Sequence, residues 1–585
     1  MKKISFIIII LFSITFKINA QEIEIDSIKL AGLCKVWGLA KNYSNSVIRK
    51  KIDWDNILIK KYPEFEKSND FNNYNQQILD LLNYLQKQKY KKEVTQKEFD
   101  LIINNQIKEL DNFSFLKDTL KYKNRISFSW INDEIFTDSV KNVLCNIIIN
   151  YKPQKNKYLK GKIVVKHKEN DFLELDSISE PYRILGIFRY WNIINYYFPY
   201  KHLMDKKWDS VLVEHINSIK NANNYTNYIK EFRRFESNIN DSHGFYNYST
   251  YKYYNTDNKT NDTQESLKKS GYIPYNFKIV NKTVIISKVL TDSTCIKLGD
   301  TVLAINNIDL KNYIKTYSEY NSSSTLQSTK MNIEYSLSRF YNSIFNLKIK
   351  NNNDTINYTE NKIVDYNTKT ESFYRKPPFH YSVNDSIGYI ELTQIKLKEF
   401  NKTWKEFKNK KTIIFDLRGY PETPVWLLLP YLLNKNRKII AEYYYPDKKY
   451  PGIFINDKKI STARLWFVKP FVGLKKKYNG KTIVLINADA ISQSETACMM
   501  FKAYSDKVTF IGEPTSGANG DVVKIDIPGG IYFYYSSIDW HFPNGEQLQR
   551  KGIIPDIKVK QDVESIINNE DKILKMAIEY ATTKY

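Results

Sequence analysis

The sequence predicts a multidomain protein: an α/β core at the C-terminus, a β-rich insert before it, and an N-terminal helical repeat with a small β region. Three observations predict this fold class. Strands alternate with helices over residues 386–512, a strand-rich segment covers 268–362, and similar helical segments recur 154 residues apart. The length of 585 residues is enough for about three to five domains.

The α/β core is predicted from alternating apolar strands and helices in the C-terminal part of the chain. The predicted strands are 386–395, 412–415, 482–487 and 508–512, and the helices lie near 397–409 and after 492. The second strand ends in Asp416-Leu417-Arg418-Gly419, and the last is followed by the loop 513–520. Strands that alternate with helices are typical of an α/β sheet.

An internal repeat organises the N-terminal part. Segment 30–43 aligns with 184–197 without a gap, and each copy predicts three helices. Matching residues at this offset are Gly32 and Gly186, Trp37 and Trp191, Tyr43 and Tyr197, Trp54-Asp55 and Trp208-Asp209, and Asn73-Tyr74 and Asn227-Tyr228. Only the second copy runs into Asn-Asp-Ser-His-Gly at 240–244, while alternating apolar and polar residues between the copies predict a small β region.

The net charge of +24 does not predict a nucleic-acid-binding protein. The lysines are scattered among acids and asparagines, and no helix carries a sustained basic face, so a solvated surface is the better interpretation. The four cysteines lack metal-binding spacing, although one disulfide stays open. Neither His-Glu-x-x-His nor a phosphate loop occurs, so no metal or cofactor is expected.

The first twenty residues predict export. Lys2 and Lys3 precede an apolar run at 4–16, and Ile18-Asn19-Ala20 gives a cleavage site before Gln21. An uncleaved anchor is the alternative, but the apolar run is short for a membrane span. We expect a periplasmic or extracellular protein with no stable membrane anchor after cleavage.

The insert at 268–362 contains two strands around a tight turn. Strand TVIISKV leads to Lys297-Leu298-Gly299-Asp300, and strand TVLAINN follows at once. This order resembles a PDZ domain, with Gly299, Asp300, Ile305 and Asn306 carrying the resemblance; a generic β-rich module is the alternative. The resemblance implies capture of a peptide C-terminus by addition of a strand, and no peptide-binding residue is assigned.

Ser492 allows two interpretations. Ser-x-x-Glu before an apolar helix is a capping box, in which the serine hydroxyl caps the N3 amide and Glu495 reaches back. A serine at a strand–loop–helix junction also lies where free amides and the helix dipole stabilise an oxyanion. Such a nucleophile needs a base within hydrogen-bond reach.

Taken together, these segments resemble the C-terminal (tail-specific) processing peptidases, within them the tricorn-core-like branch. The resemblance covers roughly residues 176–575. Four stretches carry it in order: Asp241-Ser242-His243-Gly244, the PDZ-like insert, Asp416-Leu417-Arg418-Gly419, and Ser492–Glu495 leading through Thr515–Gly517 to Gly552-Ile553-Ile554-Pro555-Asp556.

The resemblance implies a role for each matching residue. Ser492 matches the nucleophile, and because the loop 515–518 reads Thr-Ser-Gly-Ala without a lysine, His243 is the implied base. Ser242 and Gln549 would orient the site. Gln549 replaces the glutamate of the branch, and the loop after Gly419 lacks two family glycines.

The oxyanion donors implied are two backbone N–H groups, those of Gln493 and Glu422. The predicted function is an exported serine endopeptidase that cleaves peptides or unstructured tails, with homo-oligomerisation left open. A catalytically decayed binder of peptide tails or envelope components is the alternative, and a hydrolase of non-peptide acyl groups is a third interpretation. The predicted divisions are a signal peptide (1–20), a first helical copy (21–110), a small β region (111–175), a second copy leading into Ser-His (176–262), the PDZ-like domain (268–362) and the peptidase core (363–585).

Overall fold

A computed structural model describes residues 24–583 except 69, 86–92, 119–120, 174–177, 249–270, 293–294, 352–353, 374–377, 423–439, 457–477 and 506. The helices are α1 (24–43), α2 (Asn45–Ile48), α3 (Trp54–Glu66), α4 (Phe71–Asn83), α5 (Gln96–Ile103), α6 (Phe115–Asp118), α7 (Asp138–Ile149), α8 (Glu180–Tyr197), α9 (Trp208–Lys220), α10 (Tyr225–Glu236), α11 (Leu310–Tyr317), α12 (Leu326–Ser338), α13 (Tyr366–Glu371), α14 (Leu397–Phe407), α15 (Gln493–Tyr504), α16 (Val563–Ile567) and α17 (Lys572–Thr582).

The strands are mostly short. They are β1 (Tyr122–Asn124), β2 (Leu159–Lys160), β3 (Lys166–His167), β4 (Tyr246–Tyr248), β5 (Gly271–Tyr272), β6 (Tyr275–Val280), β7 (Thr283–Val289), β8 (Thr301–Ile305), β9 (Ile308–Asp309), β10 (Tyr341–Asn342), β11 (Phe345–Asn351), β12 (Asp354–Glu360), β13 (His380–Ser382), β14 (Ile387–Glu391), β15 (Thr412–Asp416), β16 (Glu442–Pro446), β17 (Ile453–Ile455), β18 (Lys481–Ile486), β19 (Val508–Gly512), β20 (Val522–Ile527), β21 (Ile531–Ser536), β22 (Asp539–His541) and β23 (Ile557–Lys558).

The C-terminal sheet has the order β13-β14-β15-β18-β19-β23, with β13 antiparallel and the other strands parallel. Helices α14 and α15 pack on one face, and α17 packs on the other through Ile573 and Ala577. Both faces are therefore covered, which explains why these strands are almost continuously apolar. The expected α/β character of this region is confirmed.

The insert forms its own sheet of order β12-β11-β8-β7-β6, with β9 paired to β8. A separate apolar cluster, which includes Phe277, Val302 and Leu337, joins this sheet to α11 and α12. The turn before β8 is tight, because Gly299 has φ +87° and its N–H donates to the Ile286 carbonyl.

Equivalent helices at the N-terminus begin 154 residues apart: α3 at Trp54 and α9 at Trp208. In the first set the Trp54 indole N–H donates to the Trp37 carbonyl at 3.0 Å. In the second set the Trp208 indole donates to the Trp191 carbonyl, also at 3.0 Å. The same side chains thus tie the first helix to the second in both sets.

The stretch 111–175 differs from the small β region expected there. Its longest element is the twelve-residue helix α7, and its strands β1, β2 and β3 have only two or three residues each. The β-branched run at 147–149 favours a strand locally, but Val140, Leu144 and Ile148 are buried together from the helix. Burial of this face outweighs the local preference.

A three-stranded sheet of order β20-β21-β4 joins distant parts of the chain. Its apolar side chains, including Val523, Ile525 and Phe533, belong to the same core as the N-terminal helices. Strand β4 directly follows the segment that contains His243. Its pairing with β21 therefore places this segment beside the C-terminal part of the chain.

Within the described ranges, no helix is both long and apolar enough to cross a bilayer. Cys34, Cys145 and Cys498 are buried free thiols, and Cys295 is exposed.

Candidate active site

Ser492 has a strained backbone at the start of α15. Its φ is 56° and its ψ is −108°, a region that non-glycine residues rarely adopt, and its side chain makes no capping hydrogen bond. The capping-box interpretation is therefore wrong. Among the described residues the serine hydroxyl has no hydrogen-bond partner, and it lies at the junction of a loop and a helix, as in the nucleophile turns of other hydrolases.

Glu495 fixes the loop beside Ser492. Its buried carboxylate accepts hydrogen bonds from the Thr515 hydroxyl at 2.5 Å and from the N–H groups of Gly517 at 2.8 Å and Ala518 at 3.0 Å. The Ala518 carbonyl in turn accepts from the Ser492 N–H at 3.0 Å. Burial raises the pKa of Glu495 to about 7, although these hydrogen bonds act to lower it.

The two predicted oxyanion donors differ in whether their N–H groups are already hydrogen-bonded. The Gln493 N–H is the first of α15 and makes no hydrogen bond within the described part of the chain, so it is available for an oxyanion. The Glu422 N–H is not, because it donates to the Thr393 carbonyl at 3.1 Å. The prediction for Glu422 is wrong, since the loop after Gly419 folds back onto the strand end instead of opening toward Ser492.

His243 is buried and held through one ring nitrogen. Its Nδ1 lies 2.8 Å from the Ser536 hydroxyl, and that hydroxyl donates to Asp241 Oδ1 at 3.0 Å. Because the single hydroxyl proton goes to the carboxylate, Ser536 accepts from Nδ1–H and the other ring nitrogen, Nε2, carries the lone pair. Burial lowers the pKa of His243, while Asp241 and Asp521 oppose this shift, so the ring is a neutral base near pH 7.

Local geometry brings His243 to Ser536. Asn240 adopts a left-handed conformation that ends the helical segment, and β4 then pairs with β21 so that Tyr246 lies opposite Phe533. Continuing this antiparallel register places His243 across from Ser536. Gly244 is needed at the turn because a Cβ would lie 2.5 Å from the Glu236 carboxylate.

Gln549 and Ser242 do not touch the histidine ring by a hydrogen bond. The Gln549 amide donates to Asp241 Oδ1 at 3.0 Å and to the Ser324 hydroxyl at 3.3 Å. The Ser242 hydroxyl donates to Ser328 at 2.9 Å and accepts from the Ser324 N–H at 2.8 Å. Ser242 therefore anchors the insert, and the orienting contact expected from it is made by Ser536, which the sequence did not reveal.

One loop contacts both the nucleophile turn and the strand that holds the partner of His243. The Ser492 N–H binds the Ala518 carbonyl, and three residues later the Asp521 carbonyl accepts from the Ser537 N–H at 2.9 Å. No direct hydrogen bond joins the Ser492 hydroxyl to His243 within the described ranges. Catalytic hydrogen bonds are often long without substrate and tighten in the complex.

A comparison with protein families identifies the C-terminal region. Residues 386–559 match the model of peptidase family S41. The chain carries an S41 peptidase domain. As a member of this family the domain is of the serine-peptidase type. No curated protein sequence matches the chain significantly.

Solved structures resemble the chain around the S41 domain. A crystal structure of a CPAF mutant aligns with a TM-score of 0.50 and 12% identity, covering 69% of this chain and 98% of that one. Mature CPAF complexed with lactacystin aligns with a TM-score of 0.49 and 13% identity over the same shares. The tricorn protease has a TM-score of 0.34 and 13% identity over 68% of this chain and 36% of its own. At such identities the first of these likenesses shows the fold alone.

Two motifs of the S41 domain have structural rather than chemical roles. Arg418 forms two hydrogen bonds of 2.7 Å with Asp571 and one of 2.7 Å with Asp416, which ties β15 to the start of α17. Asp556 accepts from the Phe510 N–H at 2.8 Å and so anchors β19. These contacts hold the frame on which Ser492 and its loop rest.

Proposed function

We propose that the chain is an exported serine endopeptidase that cleaves peptides or unstructured protein tails with Ser492 and His243. The mature protein would begin at Gln21; the signal sequence lies outside the described residues. The observation that carries the proposal is the strained, uncapped Ser492 at the N-terminus of α15, together with a histidine whose tautomer leaves Nε2 as a base.

The chemistry follows from these two groups. His243 Nε2 accepts the Ser492 hydroxyl proton as the oxygen attacks the scissile carbonyl, and the Gln493 N–H stabilises the oxyanion. The imidazolium then gives its proton to the leaving amine, so the peptide C–N bond breaks and an acyl ester forms on Ser492. Water, deprotonated by His243, attacks the ester and releases the second product.

The insert supports peptide capture. Its sheet, with α11 and α12, has the strand–turn–strand order that resembles a PDZ domain. The insert contacts the loop 513–520 beside Ser492, because the Thr325 hydroxyl at the start of α12 donates to the Ser516 carbonyl at 3.1 Å. A peptide tail bound by the insert would thus lie within the same assembly as Ser492.

Cleavage of an unstructured peptide library, read by mass spectrometry, tests the proposal. We expect wild type from Gln21 to cleave, and Ser492→Ala and His243→Ala each to lose at least about 1,000-fold in kcat/KM. Equal cleavage by all three proteins would contradict the assignment. Thermal unfolding of each variant serves as the control for folding.

The pH dependence provides a further prediction. Burial lowers the pKa of His243, with Asp241 and Asp521 facing it, and the base must be neutral to act. We therefore expect kcat/KM to persist below pH 6.5, the ordinary value for histidine, and to fall only as the pH passes through the lowered value. If the acid limb of kcat/KM lay at or above pH 6.5 and were present in every variant, this role for His243 would be contradicted.

A peptide-binding protein without catalysis is the second candidate. The specific observation in its favour is that the Glu422 N–H is used by Thr393, which leaves Gln493 as the single predicted oxyanion donor that remains available. Peptide retention without cleavage by wild type, equal to that of Ser492→Ala, would support this candidate and reject the first.

A further inference from the structure

We propose that Asp241, acting through Ser536, is the positioning carboxylate of His243, and that Gln549 supports Asp241 instead of standing in for a missing glutamate. The inference rests on the proposed function. Neither Asp241 nor Ser536 touches a substrate in this arrangement; both act through the histidine.

The contacts of Asp241 carry the argument. Its carboxylate, which has 0% exposure, receives four hydrogen bonds: from the Ser536 hydroxyl at 3.0 Å and N–H at 2.7 Å, the His243 N–H at 3.1 Å, and the Gln549 amide at 3.0 Å. An ionised carboxylate is purely an acceptor, so four donors and no acceptor match the charged form.

The Ser536 hydroxyl links the Asp241 carboxylate to the His243 ring. Ser536 donates to Asp241 and accepts from His243 Nδ1–H, so its orientation is fixed at both ends. When His243 takes the Ser492 proton, the positive ring is 2.8 Å from a hydroxyl polarised by a buried carboxylate. Such stabilisation of an imidazolium in a dry site is the function that a glutamate at position 549 would otherwise serve.

The identity of residue 549 follows from this arrangement. A glutamate there would bring a second carboxyl group to about 3 Å from Asp241, and two carboxylates at that distance cannot both ionise. The glutamine amide supplies a donor instead. A third acid, Glu236, lies buried beside Gly244, and its Oε1 has no partner among the described residues.

Four variants separate these roles: Asp241→Asn, Ser536→Ala, Gln549→Glu, and Ser537→Ala as the matched control, whose hydroxyl binds the Asp521 carbonyl outside the relay. We expect kcat to fall about 100-fold for Asp241→Asn and about 10-fold for Ser536→Ala with little change in KM. Gln549→Glu should lose activity, and Ser537→Ala should stay within about threefold of wild type.

Two readouts exclude a merely structural role. The acid limb of kcat/KM should shift to lower pH in Asp241→Asn, because the carboxylate no longer supports the imidazolium. Nitrogen-15 spectra of histidine-labelled protein should show His243 protonated on Nδ1 in wild type and Ser492→Ala, and this signal should change in Ser536→Ala; His243→Gln assigns it among the six histidines.

The outcomes are distinct. A gain of activity in Gln549→Glu, or an unshifted acid limb in a folded Asp241→Asn, would overturn the relay. If wild type cleaves nothing, the proposed function fails, yet the Nδ1 tautomer and its response to Ser536→Ala still support or reject the relay by themselves. Protonation on Nε2 in wild type would reject it.

Discussion

Two buried carboxyl groups near His243 differ in their surroundings. Asp241 is surrounded by donors, whereas Glu236 has an oxygen with no partner within the described residues. Burial raises the pKa of Glu236 to about 8, and the charge of Asp241 adds to the shift. Glu236 is therefore neutral at pH 7, which reduces repulsion behind the histidine.

This shift predicts a pH-dependent stability. The folded pKa lies above the value of about 4.3 for an unfolded glutamate, so the stabilisation is complete below that value and is lost as the pH rises through about 8. Glu236→Gln cannot ionise. We expect its free energy of unfolding, measured in urea, to rise relative to wild type between pH 5 and pH 8. Parallel profiles would contradict this; the exposed Glu319→Gln is the control.

At the level of elements, α15 and the loop after β19 act as one unit. Glu495 on α15 holds the N–H groups of Gly517 and Ala518, and Ala518 holds the Ser492 N–H. The strained serine thus persists because its helix and its loop are joined by a buried carboxylate.

Replacing this carboxylate tests the unit. In Glu495→Gln an amide N–H₂ would face backbone donors, so one buried donor loses its partner at about 1–3 kcal/mol. We expect the free energy of unfolding to fall by about that amount and kcat to fall about tenfold or more, measured by urea denaturation and peptide cleavage. The exposed Glu564→Gln should change neither; activity at the wild-type level in Glu495→Gln would refute the coupling.

At the level of the whole molecule, the N-terminal helices support the three-stranded sheet β20-β21-β4. Arg189 of α8 is buried and donates to Asp55 at 2.8 Å, to the Asn170 carbonyl at 2.7 Å and to the Asp526 carbonyl on β20 at 2.9 Å. Lys41 also binds Asp55 at 2.8 Å. Burial acts to raise the pKa of Asp55, yet the two cations hold it below its usual value.

The repeat supplies an exposed ion pair that can be compared with the buried pair of Arg189 and Asp55. Lys35 and Asp209, 154 residues from Arg189 and Asp55, form an ion pair at 2.8 Å in which Asp209 is 55% exposed. Arg189→Met leaves a buried carboxylate short of a partner and should lower the free energy of unfolding by about 3–5 kcal/mol. Lys35→Met should lower it by less than about 1 kcal/mol. Equal effects in urea denaturation would show that burial does not distinguish the pairs.

The chain's local patterns determined much of the protein. The alternation of apolar strands and helices predicted β15, β18 and β19 to within one residue, and β14 with an end four residues too late, because burial on both faces leaves a clear apolar signature. The order of short motifs predicted the peptidase family. The alternation of apolar and polar residues was misleading at 111–175, where the longest element is a helix, because burial of one helix face outweighs the local preference.

Tertiary structure alone decided the details of the site. Ser536 meets His243 because β4 and β21 pair across nearly 300 residues of sequence, and no local pattern encodes that register. The same pairing brings Asp241 to Ser536, and Gln549 reaches Asp241 from another distant segment. The fold-back of Glu422 onto Thr393 was equally inaccessible, since a backbone N–H carries no sequence signature. Residue types at short spacing follow from local chemistry, whereas hydrogen-bond partners between distant segments exist only once the chain has packed.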